Sequence, residues 1–194
     1  MYTLKAEKRC MKIKAKRLRR EGFVTGNLYG KDFPGSVPLK IKQFDAAQLL
    51  KTYNKGSQIM LDIEDHTYEV LIKDIVFNSM KSQIDEIDFQ VLVSNEKVHS
   101  VAEIVMINPD KVVSGVPQET LKEISYRALP SALIDRINID VGDMKVGETI
   151  RVCDLDIAKN KEISLITPLD DVVVTVTPVH NSVPVSDTEN EETA

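Results

Sequence analysis

Apolar and polar residues alternate along several short segments of the chain, and no other feature limits its fold as strongly. In residues 37–43, Val37, Leu39 and Ile41 alternate with polar or charged neighbours. The same alternation runs through residues 59–63 and, most clearly, through residues 83–93, while residues 70–77 are rich in apolar residues. A period of two places the apolar side chains on one face of a strand. The sequence therefore predicts a mainly β fold built from short, half-buried strands.

The apolar segments in the second half of the chain are also short. Strands are predicted there at residues 101–107, 137–141, 148–155 and 171–179. Residues 119–129 fit either a helix or a strand, but the period-two spacing of Ile124, Tyr126 and Ala128 favours a strand. The second half is therefore expected to be all β.

A short helix and a turn are predicted between the strands of the first half. Asp45 and Gln48 have the spacing of a capping box, and Gly56 would end the helix. Within residues 58–77, a turn near residues 64–67 would divide two strands.

The length of 194 residues allows two small domains, each large enough to bury a core. Residues 94–100 are polar and mark the boundary, so a first domain is predicted at residues 1–94 and a second at residues 95–180. The remaining segment, 181–194, has four acidic residues and no basic one, which predicts a disordered acidic tail.

Positive charge is concentrated at the start of a chain whose net charge is -5. Residues 1–31 contain ten Lys or Arg and two acidic residues, an excess of eight positive charges, so the rest of the chain carries thirteen net negative charges. Such a segment creates a local positive field that attracts polyanions. The alternative is a solvated charged face, but the dense run leads directly into a glycine-punctuated strand pattern and so favours a folded surface.

The sequence offers little for catalysis or metal binding. His66, His99 and His180 are not near a Cys, Asp or Glu at metal-ligand or catalytic spacing, and Cys10 and Cys153 lie far apart. We expect no metal, no cofactor and no small-molecule substrate. There is also no secretory signal and no apolar run long enough to span a bilayer, which predicts a cytoplasmic protein without a membrane partner.

One pair of carboxylates keeps an enzymatic hypothesis open. Glu86 and Asp88 lie two residues apart on the polar face of the strand predicted at residues 83–93, and such a pair can act as acid and base in a hydrolase. The chain shows no further catalytic group to accompany them. The sequence therefore predicts a protein that is not an enzyme.

The same residues fit RNA binding better. Lys and Arg neutralise phosphates, and Tyr29, beside two glycines, can stack on a base or ribose. The acidic and amide groups of residues 86–90 can share hydrogen bonds with base amino groups and 2′-hydroxyls in the wide minor groove of A-form RNA. These features favour structured RNA as the partner.

Three segments resemble the bacterial 5S-rRNA-binding ribosomal protein L25 family. RLRREGFVTGNLYGK (17–31) is similar to the family's N-terminal signature, an Arg-rich run followed by a Pro-Gly-x-x-Tyr-Gly-like turn. VLIKDIVFNSMKSQIDEIDFQVL (70–92) is similar to its Lys-Asp strand followed by a His-x-Asp-Phe strand. LPSALIDRINIDVGDMKVGETIRVCDL (129–155) resembles the second domain of the longer, general stress protein CTC branch. The order and spacing of the three segments extend over about 170 residues.

The resemblance implies an N-terminal β-barrel with short helices that binds 5S rRNA in the large ribosomal subunit. It implies an all-β second domain that reaches towards the ribosomal surface, where neighbouring ribosomal proteins are further candidate partners. By position, the resemblance assigns RNA contacts to Arg19, Arg20, Tyr29 and Asp88. Charge alone adds Lys14 and Arg17, and Arg9 is included from a segment that matches the family only loosely.

Two residues depart from the family pattern. Thr25 replaces the usual proline, which should loosen the turn. Glu86 replaces the histidine, and a carboxylate only accepts hydrogen bonds and is repelled by phosphate. Losing one contact to a charged group costs about 1.5 to 3 kcal/mol, which predicts a weakened or altered RNA site. Two alternatives stay open: Glu86 reads an exposed base amino group, or the chain is a diverged, stress-associated paralogue that acts through protein contacts of its second domain.

Overall fold

Six strands close into a barrel in the first half of the chain. The computed structural model describes residues 2–31, 35–64, 66–112 and 115–178. The barrel strands are β1 (Thr3–Lys8), β2 (Phe23–Tyr29), β3 (Val37–Lys42), β4 (Gln58–Ile63), β5 (His66–Asn78) and β6 (Gln83–Val91). Their order is β1-β3-β2-β6-β5-β4, and β1 pairs with β4 to complete the ring. The mainly β fold and the barrel with short helices are confirmed.

The alternating apolar residues fill the barrel as the sequence predicts. Leu39 and Ile41 of β3 and Ile87 and Phe89 of β6 are at most 1% exposed and belong to one core cluster. The turn predicted near residues 64–67 lies between β4 and β5. Pairing is antiparallel except for β1 with β4 and β2 with β6, which run parallel.

Two short helices accompany the barrel: α1 (Ala15–Arg20) and α2 (Gln43–Leu49). Helix α2 begins directly after β3, with Lys42 at the N-cap and no side-chain cap bond. The predicted capping box is therefore wrong, and Asp45 lies inside the first turn. Ala46 and Leu49 are buried in the barrel core, so packing rather than capping determines where this helix begins.

The second half of the chain forms two smaller sheets around a separate core. One sheet has the order β10-β7-β9-β12 and the other the order β11-β13-β8. The strands are β7 (Val98–Ile107), β8 (Gly115–Glu119), β9 (Glu123–Ala128), β10 (Arg136–Asp140), β11 (Thr149–Arg151), β12 (Ser164–Leu165) and β13 (Val172–Pro178). We refer to this half as the second β region.

The second β region departs in detail from the sequence-based assignment. Strand β7 begins at Val98, within the predicted linker, because Val98 and Ser100 are buried and pair with β9. The strand expected at residues 148–155 stops at Arg151 and continues as a 3-10 turn, followed by the helix α3 (Asp156–Lys159). The second region is therefore β-rich rather than all β. The strand interpretation of residues 119–129 is confirmed by β9.

The barrel and the second β region are in direct contact. Gln58 Nε2 donates to the Pro130 carbonyl at 2.6 Å, and Asn54 Nδ2 donates to Glu103 Oε2 at 2.6 Å. Leu71 on β5 is completely buried, yet it does not belong to the barrel core cluster. One outer face of the barrel is therefore covered by the second region.

Some sequence-based expectations fall beyond the described ranges. The acidic segment 181–194 and His180 lie outside the described residues. No helix in the described ranges combines the length and apolar character needed to cross a bilayer.

Candidate nucleic-acid interface

Helix α1 and the residue before it present a cluster of positive charge on the barrel surface. Leu18 is only 4% exposed and anchors the helix, so the neighbouring side chains point outwards. Three of the basic residues predicted for RNA binding, Lys14, Arg17 and Arg20, are exposed, and so is Lys16, their neighbour in the run. Arg17 Nε donates to Glu21 Oε1 at 2.9 Å, whereas Lys14, Lys16 and Arg20 form no ion pair with any described residue. We call these four residues the basic cluster.

Arg19 connects helix α1, which carries the basic cluster, to two strands of the barrel. Its Nε donates to the Asp85 carbonyl at 3.0 Å, and its Nη2 donates to Thr25 Oγ1 at 3.3 Å. The Glu86 carboxylate lies 3.8 Å from Nη2. The side chain of Arg19 is 31% exposed, and two of its N–H groups, one on Nε and one on Nη2, donate within the protein. The structure therefore gives it a positioning role that the sequence did not predict.

The parallel pairing of β2 with β6 creates a row of polar side chains on the barrel. Asn27 lies opposite Asp88, and its Nδ2 donates to Glu86 Oε1 at 3.2 Å and to Asp88 Oδ1 at 3.1 Å. Both acids lie on the outer face of β6, as predicted, while Ile87 and Phe89 point into the core. We call Asn27, Glu86 and Asp88 the polar row.

Gly26 allows β2 and β6 to lie this close. A Cβ added at Gly26 would collide with the Ile87 carbonyl oxygen of β6. Residues Thr25 and Gly26 are therefore strand interior, and the turn predicted here is wrong. Thr25 is buried, and its hydroxyl donates to the Asp85 carbonyl at 3.1 Å, which a proline at this position could not do.

Tyr29 lies at the far end of β2 from the contacts of Arg19. It is half-buried, and it pairs with Gln90 of β6. Burial raises the pKa of the Tyr29 hydroxyl, and the carboxylates of Asp88 and Asp74 raise it further. The hydroxyl is thus protonated at neutral pH and can donate a hydrogen bond. Tyr29 lies four residues after Thr25 on the same strand, a distance of about 13 Å.

Arg9 belongs to the connection that leads into α1. Its backbone N–H donates to the Pro38 carbonyl at 2.8 Å, and its Nη2 donates to the Ile13 carbonyl at 3.1 Å. The Nε atom is buried and has no hydrogen-bond partner among the described atoms. Arg9 therefore stabilises the connection between β1 and α1, and only part of its guanidinium is available to a ligand.

Asn27 and Asp85 were not predicted from the sequence. Asn27 links strand β2 to the two acids of β6, and Asp85 links β6 to Arg19 of helix α1. A signal for Asn27 was present, because Val24, Gly26 and Leu28 alternate with Thr25, Asn27 and Tyr29. Reading the glycine as part of a turn concealed that period of two. Asp85 contributes through its backbone carbonyl, which no side-chain pattern could reveal.

The carboxylate pair offered as a catalytic site is held by an amide rather than by a catalytic partner. Asn27 donates to both Glu86 and Asp88, so each carboxylate already accepts a hydrogen bond. Within the described ranges, no three His, Cys, Asp or Glu side chains are grouped so that they could hold a metal ion. The arrangement resembles a recognition surface more than a reaction centre.

Comparison with known proteins gives two family matches in the order of the two halves. The family described as "Ribosomal L25p family" matches residues 4–89, and "Ribosomal protein TL5, C-terminal domain" matches residues 97–180. These ranges correspond closely to the barrel and to the second β region.

Curated relatives match nearly the whole chain. A protein of Halothermothrix orenii named "Large ribosomal subunit protein bL25" is 32% identical over 97% of this chain and 89% of its own length. Proteins with the same name from Dictyoglomus thermophilum and Bacillus pumilus are 28% and 27% identical over 98% of this chain, and over 95% and 93% of their own lengths.

Proposed function

The chain belongs to the bL25 family of large ribosomal subunit proteins, a structural family rather than one of enzymes, and from this membership we propose that it binds 5S rRNA. The RNA-binding domain in this proposal comprises residues 1–94, and residues 95–180 form the CTC-type second domain. Ribosomes work in the cytoplasm, and the protein acts there as part of the large subunit.

The observation that carries the proposal is the placement of the basic cluster beside the polar row. Arg19 contacts Thr25 of β2 and Asp85 of β6, so it holds the exposed charges of α1 next to the strand pair that carries Asn27. The cluster supplies phosphate neutralisation and makes affinity depend on salt. The polar row and Tyr29 supply hydrogen bonds and stacking at base edges and riboses. One surface thus attracts the phosphates of the RNA and also recognises its base edges and riboses.

The internal partners of Glu86 reduce the repulsion that the sequence alone suggested. Its carboxylate accepts from Asn27 and lies near the Arg19 guanidinium, so part of its charge is balanced within the protein. In our proposal Glu86 orients these two donors at the edge of the RNA site. It still cannot donate a hydrogen bond, as a histidine in this position can.

Binding to purified 5S rRNA at several salt concentrations tests the proposal. We expect micromolar or tighter affinity and a steep salt dependence. Arg20→Ala should weaken binding and reduce the salt slope by about one, because one phosphate contact is lost. Tyr29→Ala should weaken binding with little change in slope, because stacking carries no charge; one stacked base contributes about 1 to 3 kcal/mol.

Lys161→Ala is the matched control, because this exposed lysine lies in the second β region. It should leave both affinity and slope unchanged. Equal affinity of the wild type for 5S rRNA and for a random duplex would overturn the proposal. That result would favour the alternative, in which a diverged paralogue acts through protein contacts of its second region.

Replacing Glu86 with histidine should tighten binding to 5S rRNA by about tenfold or more, because a donor replaces a carboxylate that phosphate repels. Glu86→Met separates the loss of the repulsion from the gain of a donor, since methionine has a similar size, removes the charge and adds no hydrogen-bond donor. We expect an intermediate affinity for this variant in the same titration. Unchanged affinity in both variants would show that Glu86 does not face the RNA.

A further inference from the structure

A cavity of about 550 Å³ lies between the barrel and the second β region, away from the basic cluster. Strand β5 contributes Leu71 and Lys73 to its wall, and strands β7 and β9 contribute His99 and Ser125. In the antiparallel pairing of β7 with β9, His99 lies opposite Arg127 and Val101 opposite Ser125. Arg127 thus adjoins the cavity through the His99 ring.

Positive charge in and beside this cavity is incompletely balanced. Lys73 Nζ donates to the His99 carbonyl at 2.8 Å, and Arg127 Nε donates to His99 Nε2 at 2.5 Å. Neither cation has a carboxylate within ion-pair distance among the described residues. Lys55, which also lines the cavity, is better balanced, since its Nζ lies 3.6 Å from Asp74 and 3.9 Å from Glu123.

Desolvation and this excess of positive charge both lower the pKa values of His99 and Lys73. Partial desolvation lowers the pKa of His99, and the charges of Arg127 and Lys73 lower it further. Burial lowers the pKa of Lys73, and the neighbouring Lys55 adds to the effect. His99 is therefore neutral at pH 7. Arg127 Nε lies 2.5 Å from Nε2 and 3.4 Å from Nδ1, so Nε2 is the better acceptor and the proton of the neutral ring belongs on Nδ1.

We propose that this cavity binds a phosphate-type oxyanion between Lys73, Arg127 and His99. Lys73 supplies a compact positive charge, and Arg127 supplies a planar set of N–H donors that matches the oxygens of a phosphate. His99 and the hydroxyl of Ser125 add neutral donors at the cavity wall. A bound oxyanion would balance the cations and relieve the repulsion between Lys55 and Lys73.

The phosphate can come from an RNA backbone or from a small phosphorylated molecule. The cavity adjoins the polar row, because Asp74 lines the cavity and pairs across β5 and β6 with Asp88. An RNA strand that crosses the polar row from the basic cluster would arrive at the cavity mouth. The anion site nevertheless follows from the cavity residues themselves and does not require that 5S rRNA be the ligand.

Titration with inorganic phosphate, followed by NMR of the histidine ring protons, tests the anion site on the full chain. At constant ionic strength, the His99 resonances should shift along a saturating curve. His66 is the first residue of strand β5, seven positions before Lys73, and serves as the internal reference, which should not shift. Absence of a saturable shift at His99, with 5S rRNA also causing none, would overturn the proposal.

Arg127→Gln should weaken phosphate binding about tenfold or more, because a charge-assisted contact is lost. Arg127 is exposed, so this change spares the core, and Lys161→Gln is the control for loss of a distant positive charge. Equal phosphate affinity of wild type and Arg127→Gln would overturn the assignment of Arg127. A structural role alone would change stability without changing phosphate affinity.

The same variant distinguishes the two sources of phosphate. If the source is an RNA backbone, Arg127→Gln should also reduce the salt slope of 5S rRNA binding by about one. If phosphate shifts His99 but the RNA slope is unchanged, the site takes a small phosphorylated molecule. Failure of Arg20→Ala to affect RNA binding would count against the proposed function and leave the phosphate result at His99 untouched.

Discussion

Replacing Gly56 with alanine should lower the free energy of unfolding by about 2 to 5 kcal/mol. Gly56 has a φ of +89°, and an added Cβ would collide with the Val101 carbonyl oxygen of β7. The left-handed backbone costs a residue with a side chain about 1 to 2 kcal/mol, and overpacking adds about 1 to 3 kcal/mol. The collision lies where the barrel meets the second β region, so the contact between them should loosen.

Gly147→Ala is the matched control, because Gly147 has a φ of +88° and open space around the added Cβ. It should lose only the backbone contribution of about 1 to 2 kcal/mol. Urea denaturation of both variants and the wild type provides the comparison. Equal losses in the two variants would mean that the close approach of Gly56 to Val101 contributes nothing to stability.

Replacing the whole basic cluster with alanine should weaken 5S rRNA binding roughly a hundredfold near physiological salt. Four lost phosphate contacts should also reduce the slope of log affinity against log salt by about three. Alanine favours helix formation, so α1 should persist with Leu18 still buried. Circular dichroism and thermal unfolding of the variant should therefore resemble those of the wild type.

A second quadruple variant controls for net charge. It removes four exposed lysines outside the barrel: Lys97, Lys111, Lys145 and Lys161. Both quadruple variants lose four positive charges, so a general electrostatic effect would weaken both to the same extent. We expect only the α1 variant to lose affinity. An equal loss would show that the net charge of the chain, and not the placement of the basic cluster, governs binding.

The strands were predictable where one face of the chain is consistently apolar. Ile87 and Phe89 are core residues of β6, as their spacing indicates, and β3 and β9 follow from the same rule. Strand β1 and helix α1 were not predicted, because the dense charge of residues 1–31 conceals the few apolar residues, such as Leu4 and Leu18, that anchor them. Short elements with only one or two buried residues leave little periodic signal.

The candidate site was predictable in its parts but not in its assembly. The exposed basic residues and the outward direction of Glu86 and Asp88 follow from charge and from strand alternation. The hydrogen bonds of Asn27 to both acids, and the contact of Arg19 with Asp85, join residues 59 to 66 positions apart. Such contacts depend on which strands become neighbours. A local pattern cannot reveal them, and for this reason the partial neutralisation of Glu86 was missed.

The parallel pairing of β2 with β6 also sets an order of events during synthesis. Asn27 leaves the translating ribosome 59 residues before Glu86, a delay of roughly 3 to 12 seconds at ordinary synthesis rates. Pairing over such a separation is slow, because a long loop must close before the contact is gained. The positive segment is therefore exposed on the nascent chain before its strand partner exists. Under the proposed function, each newly made molecule therefore attracts polyanions before it can discriminate among them.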